Sequence, residues 1–128
     1  MLFGVGADII EVQRIERELA LVEGLKQTLF TAREIDYCES HGKSALHFAA
    51  RFAAKEAFLK AMGTGWRDGY RLIDIEVVND ELGKPEAVPH GEVKKFCERK
   101  GISRIHVSLS HIQDSAKAVV ILEIIQPK

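Results

Sequence analysis

The residues best suited to chemistry gather on one long helical pattern, residues 45–62. At about 100° per residue, Phe48, Phe52, Leu59 and Met62 share one face and Ala50, Ala54, Ala57 and Ala61 another. Between these faces lie Glu56 and Lys60, one turn apart. They read either as an exposed i,i+4 ion pair, worth about 0.2–0.5 kcal/mol, or as an acid and a cation that share a site. Lys55 falls inside the aromatic stripe, where its long stem can carry the ammonium past the phenylalanines to solvent. Asp8 ends an apolar run that contains Gly4 and Gly6. An aspartate there is either the N-cap of the next helix or a ligand for a hard cation. Magnesium takes one or two carboxylates and completes its shell with phosphate oxygens and water. Spacing alone does not bring Asp8 to Glu56.

Ser108 and Ser110 fall on one face of a strand pattern that His111 ends. Hydroxyls and an imidazole can hydrogen-bond to phosphate oxygens, although a histidine at a strand end is also an ordinary turn residue. A hydrolase triad of Ser110, His111 and Asp114 is disfavoured, because adjacent strand residues point to opposite faces. On the first helical pattern Arg14, Arg17 and Leu21 share a narrow arc opposite the apolar stripe. That arc is either a solvated face or a seat for an acidic, amphipathic partner helix.

Positioning these residues falls to a short list of elements. A strand is expected at residues 2–10, then a helix whose Val12, Ile15, Leu19 and Val22 make an apolar stripe. Thr31 and Glu34 form a capping box that opens a helix to about Ser40. The long helix follows and stops at Gly63-Thr64-Gly65. Residues 72–78 alternate as a half-buried strand, 79–89 are turn-rich, and 92–100 are helical up to Gly101. Strands at 104–110 and 116–125 make a hairpin. With helices early and strands late, the expectation is an α+β fold: an antiparallel-dominated sheet packed against helices, in one domain over residues 1–128.

Composition narrows the function. The 128 residues are 46% hydrophobic and 29% charged, with a net charge of −1, so no whole-surface attraction to nucleic acid or membrane is expected. The start resembles neither a signal peptide nor a membrane span. Cys38 and Cys97 lie far apart without metal spacing and are expected to be half-buried thiols, which suits the cytoplasm. Neither G-x-G-x-x-G nor G-x-x-x-x-G-K-[ST] is present.

Three segments occur together in a telling order: VGADIIEVQRI at 5–15, ARFAAKEAFLK at 50–60 running on to GTG at 63–65, and SLSH at 108–111 with AKAV at 116–119. With DIEV at 74–77 and GKP at 83–85, the chain resembles the bacterial holo-acyl-carrier-protein synthase family over nearly its whole length. The resemblance implies transfer of the 4′-phosphopantetheine arm of coenzyme A to a serine of an apo acyl carrier protein, releasing adenosine 3′,5′-bisphosphate. Asp8 and Glu56 match the family's magnesium ligands, and Lys60 matches a lysine that stabilises phosphate charge or the leaving group. Arg51 and His111 match positions at the nucleotide end, with Gly63, Thr64 and Ser110 in the same motifs as coenzyme A contacts. Glu56, acting through a metal-bound water, is the expected base. The family forms homotrimers with sites between subunits and docks the carrier's acidic helix on its first helix, which gives Arg14, Arg17 and Leu21 a role. Two positions depart from the pattern: Thr28, preceded by Gln27, stands where a basic residue is usual, and His47 where arginine is common. Lys26 could substitute, and a shallower salt dependence of carrier binding is expected. A non-catalytic coenzyme A or nucleotide-binding module of the same fold is the alternative, but it would be expected to lose Glu56 or Lys60.

Overall fold

The computed structural model describes residues 1–125, apart from the side chains of residues 66 and 67. In chain order the elements are β1 (Leu2–Glu11), α1 (Val12–Leu21), α2 (Leu25–Leu29), α3 (Ala32–Ser40) and α4 (Ser44–Met62). Two 3-10 turns, Gly65–Asp68 and Leu72–Asp74, lead to β2 (Ile75–Asn79), β3 (Pro85–Pro89), α5 (Gly91–Lys100), β4 (Ile102–Ile112) and β5 (Ser115–Ile124). The strands form two antiparallel sheets, one in the order β1-β5-β4 and one pairing β2 with β3. Among the described residues no helix is long and apolar enough to cross a membrane.

The three-stranded sheet packs one face against α4. Register puts Gly4, Gly6, Asp8 and Ile10 of β1 beside Leu122, Val120, Ala118 and Ala116 of β5. These four β5 residues are completely buried, whereas Val5 and Ile9 on the opposite face are 53% and 64% exposed. The two glycines are there for space rather than for backbone freedom. A Cβ at Gly6 would lie 1.9 Å from the Ala57 carbonyl oxygen and one at Gly4 1.9 Å from that of Ala61. Small residues on both partners thus let the helix and strand backbones touch.

Lys55 does not reach solvent. It is fully buried and donates to Glu34 Oε1 at 2.8 Å, Leu72 O at 3.1 Å and Ile75 O at 2.6 Å, so all three ammonium protons have acceptors. Burial pushes its pKa down, and Glu34 opposes that shift. The same Glu34 completes the predicted capping box with Thr31 and accepts the Val77 N–H at 2.9 Å. The capping acid is therefore also the counter-ion that ties α3 to α4 and β2.

Other expectations need correction. Residues 85–89 form β3 rather than a turn, because Pro85 and Pro89 stand at the ends of an edge strand, where a missing N–H is tolerated. Leu72–Asp74 is a 3-10 turn, α2 was not foreseen, and Val22 is the exposed C-cap residue of α1. Both cysteines are buried, which pushes each thiol up to about 11.

Glu76 on β2 accepts from Arg33 Nη2 at 2.7 Å and Thr31 Oγ1 at 2.6 Å, with His90 Nε2 3.0 Å away. The Arg33 hydrogen bond is the main reason its carboxyl falls from 4.5 to about 2. A depressed acid stabilises fully above its unfolded pKa and loses that contribution as pH falls through its folded one. Glu76→Gln should therefore lower the urea midpoint at neutral pH, and its gap to the parent should close as pH falls from 4.5 towards 2. Gly6→Ala, which forces a Cβ into the Ala57 carbonyl, should cost about 3 kcal/mol or more in the same assay.

Candidate active site

The contact of β1 with α4 decides where Asp8 sits. Asp8 is two residues beyond Gly6 on the same strand face and pairs with Ala118. It does not cap α1; that place belongs to Glu11, which makes no side-chain cap bond. Lys60 Nζ donates to Asp8 Oδ1 at 2.9 Å and to Ala7 O at 3.1 Å. Lys60 is thus in an ion pair across 52 residues, which the spacing on the helix did not reveal, with the Asp8 side chain only 15% exposed. Glu56 stands half-buried one helical turn before Lys60 on α4.

This donor set fits a hard cation that keeps most of its shell for other oxygens. Among the described residues no group of three or more His, Cys, Asp or Glu could enclose a metal. One or two carboxylates are what magnesium needs when phosphate and water supply the rest, and the neighbouring ammonium suits a phosphate ligand rather than the ion.

The remaining predicted residues divide among several places. His111 lies on the α4 side of the sheet, paired with Ala116, and lines a groove of about 780 Å³ with Glu16, Lys43, Ser44 and Leu46. Ser108 and Ser110 project to the opposite face, in register with Val119 and Lys117 of β5. Within one chain Ser110 is thus turned away from Asp8 and Lys60. Gly63 caps α4 at φ 81, its N–H bonded to Lys60 O at 3.0 Å, and the buried Oγ1 of the adjoining Thr64 lacks a hydrogen-bond partner among the described residues.

Arg51 is 2% exposed. Its Nη2 donates to Asn79 Oδ1 at 2.6 Å and its guanidinium lies 4.2 Å over the Tyr37 ring, yet its buried Nε has no partner among the described residues. Sequence reasoning missed the shell around it. Tyr37 stacks on His41 at 4.0 Å and meets His47 edge-on at 5.6 Å. The signal was present in the i,i+4 spacings Tyr37–His41 and His47–Arg51.

On α1, Arg14 pairs with Glu18 at 3.2 Å, while Arg17 is exposed and Leu21 is 75% exposed. Lys26 pairs with Glu39 at 2.6 Å, which largely cancels its charge.

A family model described as the 4′-phosphopantetheinyl transferase superfamily matches residues 4–120. Holo-[acyl-carrier-protein] synthase of Geobacter sulfurreducens is 48% identical over 126 residues, spanning 96% of this chain and 98% of that one. The crystal structure of holo-[acyl-carrier-protein] synthase from Neisseria meningitidis superposes with a TM-score of 0.87 at 37% identity, covering 96% of this chain and 99% of that chain. The Bacillus anthracis enzyme, solved in complex with CoA (3′,5′-ADP), superposes at 0.80 with 36% identity, covering 97% and 98%. The chain therefore belongs to the 4′-phosphopantetheinyl transferase superfamily and, within it, to the holo-[acyl-carrier-protein] synthases.

Proposed function

We propose that this protein moves 4′-phosphopantetheine from coenzyme A to a serine of apo acyl carrier protein, leaving adenosine 3′,5′-bisphosphate, with magnesium held by Asp8 and Glu56. The observation that carries this reading is the Lys60–Asp8 contact, with Glu56 one turn away. The carrier serine oxygen bonds to the phosphorus next to pantetheine, and the phosphoanhydride bond to the adenosine 5′-phosphate breaks. A magnesium ion held there would offset the pyrophosphate charge. The Lys60 ammonium holds phosphate oxygens as charge builds on the leaving group, and Glu56, acting through a water, takes the serine proton. Arg51 and His111 bind the 3′-phosphate end, and the unpartnered Thr64 hydroxyl can donate to the coenzyme.

The same reading accounts for the bare sheet face. Val5, Ile9, Val119 and Ile121 share it, and Val5 and Ile9 are each more than half exposed. We assign it to a homotrimer in which Ser108 and Ser110 reach a neighbouring subunit's site. The carrier's acidic helix docks on Arg14, Arg17 and Leu21. A cytoplasmic setting keeps the two thiols reduced, and the carriers served are those of acyl-chain synthesis.

Incubation with apo carrier, coenzyme A and magnesium should add the mass of phosphopantetheine to the carrier, read by mass spectrometry; an unchanged mass from folded protein would overturn the assignment. Asp8→Asn and Glu56→Gln should each lower kcat by about a thousandfold with the assembled mass unchanged by light scattering, and retained activity in either would remove that residue from the site. Arg17→Glu should raise the KM for carrier about tenfold at unchanged kcat, the effect expected of a lost rim charge on encounter.

A further inference from the structure

Around Arg51 the chain collects more ionisable nitrogen than an internal salt bridge would need. His41, the C-cap of α3, stacks on Tyr37, and its ring centroid lies 5.5 Å from that of His47. His41 Nδ1 lies 2.6 Å from the Tyr37 carbonyl oxygen, which can only accept, so Nδ1 carries the proton and Nε2 is left for a second one. His47 is half-buried on α4, one turn before Arg51. The groups that bear on His47 come from three elements: Tyr37 and His41 from α3, Arg51 from α4 and His111 from β4. Its backbone partner is Gly42. Along the adjoining groove Lys43 adds a further cation and Glu16 of α1 is the one acid among the lining residues.

The geometry points to His47 as a further binding residue of the nucleotide site: together with His41, Arg51 and His111 it forms a proton-dependent subsite for a phosphate dianion, so that binding takes up a proton at His47. This rests on the reading of Arg51 and His111 given under Proposed function. Two independent observations carry it. The Arg51 guanidinium, 2% exposed, keeps an Nε that is unpartnered among the described residues, a donor with hydrogen-bonding capacity to spare. The surrounding side chains are cationic or can become so.

The direction of the effect follows from the charges. Burial first, and then repulsion by Arg51, His41 and His111, holds His47 below the ordinary 6.5, so it is mainly neutral in the free protein at neutral pH. A dianion beside those cations offsets the repulsion and favours the imidazolium, which then adds its own attraction. Affinity therefore rises as pH falls, until the phosphate's second ionisation near about 6 begins to remove ligand charge. Arginine at this position would give the attraction without the proton.

Calorimetric titration of the whole protein with adenosine 3′,5′-bisphosphate, in two buffers of different ionisation enthalpy, tests this. At about pH 7, in the middle of the histidine range, the parent should take up protons on binding. From about pH 8 to about pH 6.5 its affinity should rise about tenfold, the low end of what one added charge-assisted hydrogen bond contributes. His47→Gln should bind more weakly with most of the uptake lost, and His47→Arg should bind at about pH 8 as tightly as the parent does at about pH 6.5. Circular dichroism would show both variants folded. Proton uptake unchanged in His47→Gln and His47→Arg, or no uptake by the parent, would overturn the inference while leaving the transferase reading in place. Absence of bisphosphate binding by the parent at every pH would overturn both.

Discussion

The structure depends on how closely the backbone of β1 can approach the backbone of α4. Glycine at positions 4 and 6 is the condition for it, since a Cβ at either would sit 1.9 Å from a helix carbonyl oxygen. The alanines on that side of α4 meet the same demand from the helix side. Close contact has a direct chemical result. It places the next residue on the same strand face, Asp8, within reach of a helix side chain four elements and 52 residues further along the chain. A wider separation, such as larger interface residues would impose, would leave Asp8 and Lys60 as separate surface charges.

A second constraint holds α4 from its other side. Lys55 lies within the aromatic stripe yet is fully buried, because Glu34 and two carbonyls replace water around its ammonium. Removing either partner alone would leave the other charge buried, at a cost of about 3–5 kcal/mol. The helix bearing Glu56 and Lys60 is thus fixed by backbone contact along β1 and by an ion pair towards α3 and β2. Arg51 points to that second side, where Asn79 and Tyr37 hold it. One helix therefore carries both the acid–lysine pair and the cation assigned to the nucleotide, each braced by a different neighbour.

Local signals were legible in the sequence, and long-range consequences were not. The capping box at Thr31, the helix stop at Gly63 and the hairpin between β4 and β5 rest on neighbouring residues, and the structure has all three. β3 was missed because its prolines read as turn formers, whereas at an edge they cost no ladder bond. For Asp8 and Lys60, residue type left open a cap and a surface pair. Only the packing of Gly4 and Gly6 joins them, and the space a glycine leaves cannot be read from spacing. Lys55 was misjudged for a related reason: its counter-ion is a capping residue 21 positions earlier, already explained by a local role. Ser110 and His111 are adjacent in sequence and face opposite ways, so a motif that reads as one unit serves two surfaces.

The most direct measurement of the central claim is a crystal structure of the protein with coenzyme A and manganese, using the anomalous signal to find the ion. The account predicts a peak in contact with the carboxylates of Asp8 and Glu56 and with the coenzyme pyrophosphate, and with Lys60 on a phosphate oxygen. A peak away from the β1–α4 contact, or a pyrophosphate bound out of reach of Lys60, would contradict it.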